Sequence, residues 1–240
     1  MGQIFREIRI LCAFSALLAS CPGILAQEGT VEAYSREDLL HKIDMQTAYV
    51  LPEFAPGEVH YLDGSVTTAE LNICAADNSV RFIASGADTM IVRNIGSVDF
   101  ILASGRKFAV RDGMVLELLR ESPSLSLAER KRLRLDEPRM EGSYGTVPPS
   151  SSARTTMADD YASTESRTYG YLVKIGYKVS YDYYLIDGEG DAGKASRKTF
   201  TEAFPALKDE IRATVRLRKI RFDDRDDVTY LYDYCSSETK

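Results

Sequence analysis

The chain has 240 residues, 44% of them hydrophobic and 28% charged, with 30 basic against 36 acidic side chains and a formal net charge of −6. That is enough apolar material for the core of one domain or two small ones. The acidic balance argues against nucleic acid and anionic membrane surfaces as partners, and no segment approaches the ~18 apolar residues of a membrane-spanning helix.

Residues 1–26 have the layout of a secretory leader. Arg6 and Arg9 make a basic start, Ile10 to Ala19 an apolar run, and Pro22-Gly23 a break before the small residue Ala26. Cleavage there would export the chain to the periplasm or cell surface. Leu18-Ala19-Ser20-Cys21 also resembles a bacterial lipobox, which would lipidate Cys21 and tether the protein to a membrane. Pro22, Gly23, Ile24 and Leu25 are an apolar continuation where a lipoprotein usually turns polar. Cleavage after Ala26 removes Cys12 and Cys21 and leaves Cys74 and Cys235, either joined as a disulfide or separately buried.

Residues 27–47 read as an exposed lead-in with one short helix, capped by Ser35 and presenting Leu39, Leu40 and Ile43. From 48 to 121 short alternating runs are broken by turn pairs such as Asp63-Gly64 and Asp112-Gly113. The runs "VHYL", "ELNICA", "VRFIA", "DTMIVR", "VDFILA", "KFAV" and "MVLELLR" predict an antiparallel meander, as a sandwich or open barrel. Within 122–141, "LSLAERKRLRL" (Leu125 to Leu135) reads as a short basic helix with a solvated face, followed by a turn. The Ser-, Thr- and Pro-containing stretch 142–168 reads as a flexible linker.

In 169–240, alternate positions from Tyr171 to Leu185 are Tyr, Val, Ile, Tyr, Val, Tyr, Tyr and Leu, which predicts a long strand or two joined at Gly176. Tyr177 and Tyr181 are candidate stacking residues for a sugar or base, with cross-strand packing as the bland reading. Two C-terminal helices follow, the first opened by Pro205 and the second by the acidic cluster after Asp223.

"LIDGEGDAGKAS" (Leu185 to Ser196) has the spacing of a phosphate-binding loop. Ala195 replaces the metal-holding Ser or Thr, and Glu189 and Asp191 would oppose phosphate, so the stretch reads as a strand-to-helix turn. Asp187, Glu189 and Asp191 are spaced like the first half of a calcium loop, but Ala192 and Lys198 stand where glycine and a bidentate glutamate belong. Calcium is the sole cofactor suggested. His41 and His60 fit no metal spacing, and a Cys74 or Cys235 nucleophile with His60 has no supporting motif.

Two further stretches carry a resemblance. "FAPGEVHYLDGSVTTAELNICAADNSVRFIA" followed by "VDFILASGRKFAV" resembles the N-terminal β-region of an uncharacterised family of exported envelope proteins of Bacteroidetes bacteria. "KTFTEAFPALKDEIRATVRLRKIRFDDRDDVTYLYDY" is similar to the C-terminal segment of the same family. The resemblance implies export, residence in the envelope and a β-region followed by helices, and it carries no site residue over. Cys74 falls where that family has an aromatic or polar residue.

The expectation is an α+β protein: an antiparallel β-domain, a linker, then a long strand packed with two helices. Its expected role is non-catalytic binding or assembly with another envelope protein or a surface glycan. The alternative is a module that binds a small ligand, a glycan or calcium at the turn 187–191.

Overall fold

The computed structural model describes residues 28–84, 89–136, 141–142, 145–146 and 168–238. The leader expected at 1–26, with Cys21, and most of the linker expected at 142–168 lie outside the described residues. The architecture is α+β, an 11-stranded antiparallel sheet with helices near both ends of the chain. No helix among the described residues is long and apolar enough to cross a membrane.

All the strands expected between 48 and 121 form: β2 (Ala55–Tyr61), β3 (Val66–Ile73), β4 (Val80–Ile83), β5 (Thr89–Ile91), β6 (Val98–Ala103), β7 (Arg106–Arg111) and β8 (Met114–Arg120). Two-residue turns join the last three. Ser104-Gly105 (φ 51° and 71°) and Asp112-Gly113 (φ 52° and 70°) both take the left-handed dihedrals that match strand twist in a tight hairpin.

Leu125–Leu135 is a strand, β9, and not the expected helix. Its Ala, Glu, Lys, Arg and Leu residues favour helix by only a few tenths of a kcal/mol each, on the order of what tertiary pairing routinely overrides. β9 pairs with β8 on one side and β12 (Thr168–Asp187) on the other. As a strand it turns Leu127 and Leu133 toward the core, with Glu129 and Lys131 between them, and sends Arg130, Arg132 and Arg134 to the opposite face.

β12 is one continuous strand through Gly176. β1 (Glu28–Ser35), which the lead-in pattern did not suggest, pairs with its first half, and β13 (Ala192–Lys194) with its last residues. A Cβ at Gly29 would stand 2.6 Å from the outer end of the Tyr177 side chain, so a larger residue there would require that ring to shift. A minor hairpin joins β10 (Glu141–Gly142) and β11 (Gly145–Thr146).

The strand order is β1-β12-β9-β8-β7-β6-β2-β3-β4-β5. Although β3 and β9 are well separated in that order, Leu133 N donates to Ala75 O just after β3 at 2.8 Å, and Ala75 N to Ala48 O at 2.8 Å. The sheet therefore curls. Helix α1 (Arg36–Lys42), capped by the Ser35 hydroxyl as expected, and α2 (Met45–Ala48) sit at the join; Leu39, Leu40 and Ile43 pack there with Cys74, Val173 and Val179.

Helices α3 (Arg197–Ala203), α4 (Lys208–Arg218) and α5 (Arg225–Glu238) cover the other end of β9 and β12. Ser196 and Thr199 form a reciprocal cap on α3, and Pro205 opens a 3-10 turn that leads into α4. Phe200, Ile211, Val228, Leu231 and Cys235 pack against Leu127, Tyr183 and Leu185. β12 is buried on both faces from Asp182 to Ile186, with Tyr184 and Ile186 joining Leu116 and Ala128 in a separate outer cluster.

Candidate functional site

At the β2–β5 end of the sheet lies an apolar pocket of about 500 Å³. Tyr61, Ala69, Phe82, Ile83, Ile91 and Val92 are its accessible apolar residues, over a floor of the buried Val59, Leu71 and Val80. The register explains the space. Thr67 stands opposite Val59 and Ala69 opposite Gly57, which has no side chain, so this face is thinly filled where the neighbouring rung carries Leu71 and Phe82. The short edge strand β5 leaves Met90 49% and Ile91 40% exposed instead of closing the space. Thr67, Thr68, Arg93 and Asn94, the exposed polar members of the lining, mark its open side. Concavity, apolar walls and a few polar groups at this volume are what small-molecule sites share.

A second constellation is nearly closed. β8 and β9 pair from Glu117↔Glu129 to Arg120↔Leu127 and separate beyond Glu129. Basic side chains reach the chain beside the gap: Lys131 Nζ donates to Tyr49 O at 2.8 Å, and to Gln46 O, while Arg106 donates to Val50 O at 3.2 Å. Arg106 grips the buried Glu117 with two hydrogen bonds, Nε to Oε1 at 2.7 Å and Nη2 to Oε2. Glu129, opposite Glu117 and 5% exposed, has Arg225 Nε 3.6 Å from its Oε2, which accepts no hydrogen bond among the described residues. Burial pushes the Glu129 carboxyl above its ordinary 4.5, with Arg225 and a hydrogen bond from Tyr183 pulling the other way. Burial likewise lowers Lys131.

Carboxylates held in unlike environments are a pattern that acid–base sites use. Here both are almost fully covered, and the arrangement works as an ionic tie between strands. Because Glu129 is raised, its contribution to stability is fully present below its unfolded pKa and is lost as pH rises through the folded one. Denaturation curves taken from pH 4.5 upward should therefore fall less steeply with pH for Glu129→Gln than for the parent. Parallel pH profiles would show that the carboxyl titrates normally.

The residues singled out in the sequence do not converge. Asp187 Oδ1 accepts from the backbone N of Glu189 (3.0 Å) and of Asp191 (2.9 Å), so its carboxylate shapes the β12–β13 turn. Among the described residues no group of three His, Cys, Asp or Glu is placed to hold a metal ion. Lys194, the lysine of the phosphate-loop spacing, pairs instead with the buried Asp182 at 2.8 Å, opposite Arg132 at 3.0 Å. Those two cations hold the Asp182 carboxyl below its ordinary value against burial, which raises it.

Tyr177 packs half-buried near Gly29, and Tyr181 bridges the two inner clusters. Cys74 and Cys235 are buried in separate clusters and no disulfide joins them; burial pushes each thiol up to about 11. His60 stacks on Phe100 at 4.2 Å and hydrogen-bonds Glu58, away from both cysteines' clusters.

Sequence reading missed both the pocket and the ionic tie. The tie left a signal, since Glu117 shares a strand face with Val115 and Leu119. The pocket left none beyond small residues on alternating strands. No family model, curated protein or solved structure matches the chain.

Proposed function

We propose that the protein is an exported, non-catalytic binding module of the bacterial envelope that takes a small apolar ligand into the β2–β5 pocket. The observation that carries this reading is the open, largely apolar pocket of about 500 Å³, a space that no described residue fills. In this reading the curled sheet behaves as an open barrel, and the short edge strand β5 forms its mouth. The leader pattern at 1–26 and the resemblance to envelope proteins support the location.

Ala69→Phe tests it. Ala69 shares a face with Val59 and Leu71, so a phenyl ring there would fill the pocket without entering the closed core. Nile red, a neutral apolar dye, should brighten on binding the parent protein and lose at least tenfold in affinity for the variant. Equal dye binding by two equally stable proteins would sink the pocket reading.

The exposed edge of β5, with Met90 and Ile91, favours a second reading close to assembly: pairing with an extended segment of another envelope protein. Such pairing would survive Ala69→Phe and be lost when Ile91 is replaced by proline, which removes a donor on the free edge, the N–H of the neighbouring Val92 being turned inward to Val80 O.

A further inference from the structure

We infer that the ligand of the β2–β5 pocket is an amphiphile with an anionic head, a long-chain carboxylate in its simplest form, whose head is received by Arg93. This inference rests on the pocket reading above and names the class of molecule that fits it. The apolar lining, from Val59 to Val92, offers nothing to a polar body. Charge enters the lining at one place, the chain just after β5, where Arg93 is followed by Asn94.

Arg93 is exposed and makes no hydrogen bond or ion pair among the described residues. That distinguishes it from Arg81, Arg106, Arg111 and Arg132, each of which is matched with a carboxylate of its own sheet. In a chain with 36 acidic against 30 basic residues, an unmatched guanidinium at the open side of an apolar pocket has spare donor capacity. A guanidinium presents a planar fork of N–H donors that a carboxylate can accept side by side. Asn94 adds an amide beside it, and its side chain makes no hydrogen bond among the described residues.

The two requirements are geometrically consistent. An apolar chain lying against Phe82, Ile91 and Val92 replaces water on accessible apolar surface, the favourable non-directional part of binding. Its head then remains at the solvent side, where an ion need not be fully desolvated to meet Arg93. Other chemistries fit less well. A neutral sterol-like body would leave Arg93 unused.

Dodecanoate and dodecanol, which differ in the head alone, separate the two parts of the argument. Each is titrated as a competitor of Nile red at low ionic strength. Dodecanoate should displace the dye from the parent protein at roughly tenfold lower concentration than dodecanol, the size of one charge-assisted contact. Arg93→Gln should erase that preference, Arg93→Lys should keep part of it, and added salt should narrow it. Equal displacement by acid and alcohol, with Ala69→Phe still blocking the dye, would overturn the anionic head and leave the apolar pocket standing. Failure of Ala69→Phe to affect dye binding would remove the pocket reading and this inference together.

Discussion

Phe200→Ala is expected to destabilise the protein by about 4 kcal/mol, within the range for deleting a buried aromatic ring. Phe200 is 0% exposed and sits between Phe204, 6.5 Å away between ring centres, and Phe222, 6.1 Å away. Around it converge one side chain or more from α4, α5, β9 and β12. The helices depend on that convergence. At 11 residues α4 is shorter than the roughly 12–15 residues at which isolated helices become even marginal in water.

The remaining anchors are polar and few. Tyr232 donates to Leu125 O at 2.5 Å, and Arg120 pairs with Asp233 at the surface. The loss should therefore begin locally, with α3 to α5 becoming susceptible to protease before the meander does. Urea denaturation followed by circular dichroism, with limited proteolysis alongside, measures both. A drop under 1 kcal/mol with unchanged proteolysis would mean that the helices do not depend on the Phe200 cluster.

The second large effect is expected at Arg106→Ala, at about 3 kcal/mol, the lower part of the range for removing one partner of a buried pair, because the arginine is itself partly exposed. The substitution strips Glu117 of both hydrogen bonds and leaves it across the ladder from Glu129, a second carboxylate. It also frees the Val50 carbonyl. Adding Glu117→Gln to Arg106→Ala should recover more than half of the deficit, since an amide carries no charge to strand. Denaturation midpoints of the parent, the single variant and the double variant at pH 7 decide this. A double variant no better than the single one would assign the loss to packing over Phe108, whose ring lies 5.4 Å from the guanidinium.

Neither residue stands out by spacing alone, which shows where sequence reading stops. Phe200 follows an ordinary capped turn, and its weight comes from α4 and α5 folding back over it. Arg106 and Glu117 belong to two consecutive strands that were legible as a hairpin. Pairing in register across Asp112-Gly113 then brings the two charges together.

Features encoded locally were determined by the sequence on its own. The strands from β2 to β8, their Asp-Gly and Ser-Gly turns, the Ser35 cap, the length of β12 and the last helices all depend on residues a few positions apart, where sterics and side-chain capping act directly. Tertiary structure decided the rest. It made Leu125–Leu135 a strand, because two neighbouring ladders outweigh a helix preference that is small per residue. It recruited Glu28–Ser35 to the free edge of β12, buried Glu129 and Lys131 in an otherwise apolar row, and put Cys74 and Cys235 in different cores. It also left the β2–β5 pocket open beside Arg93. Each of these outcomes depends on which surfaces meet across long stretches of chain, and a local pattern of side chains does not carry that information.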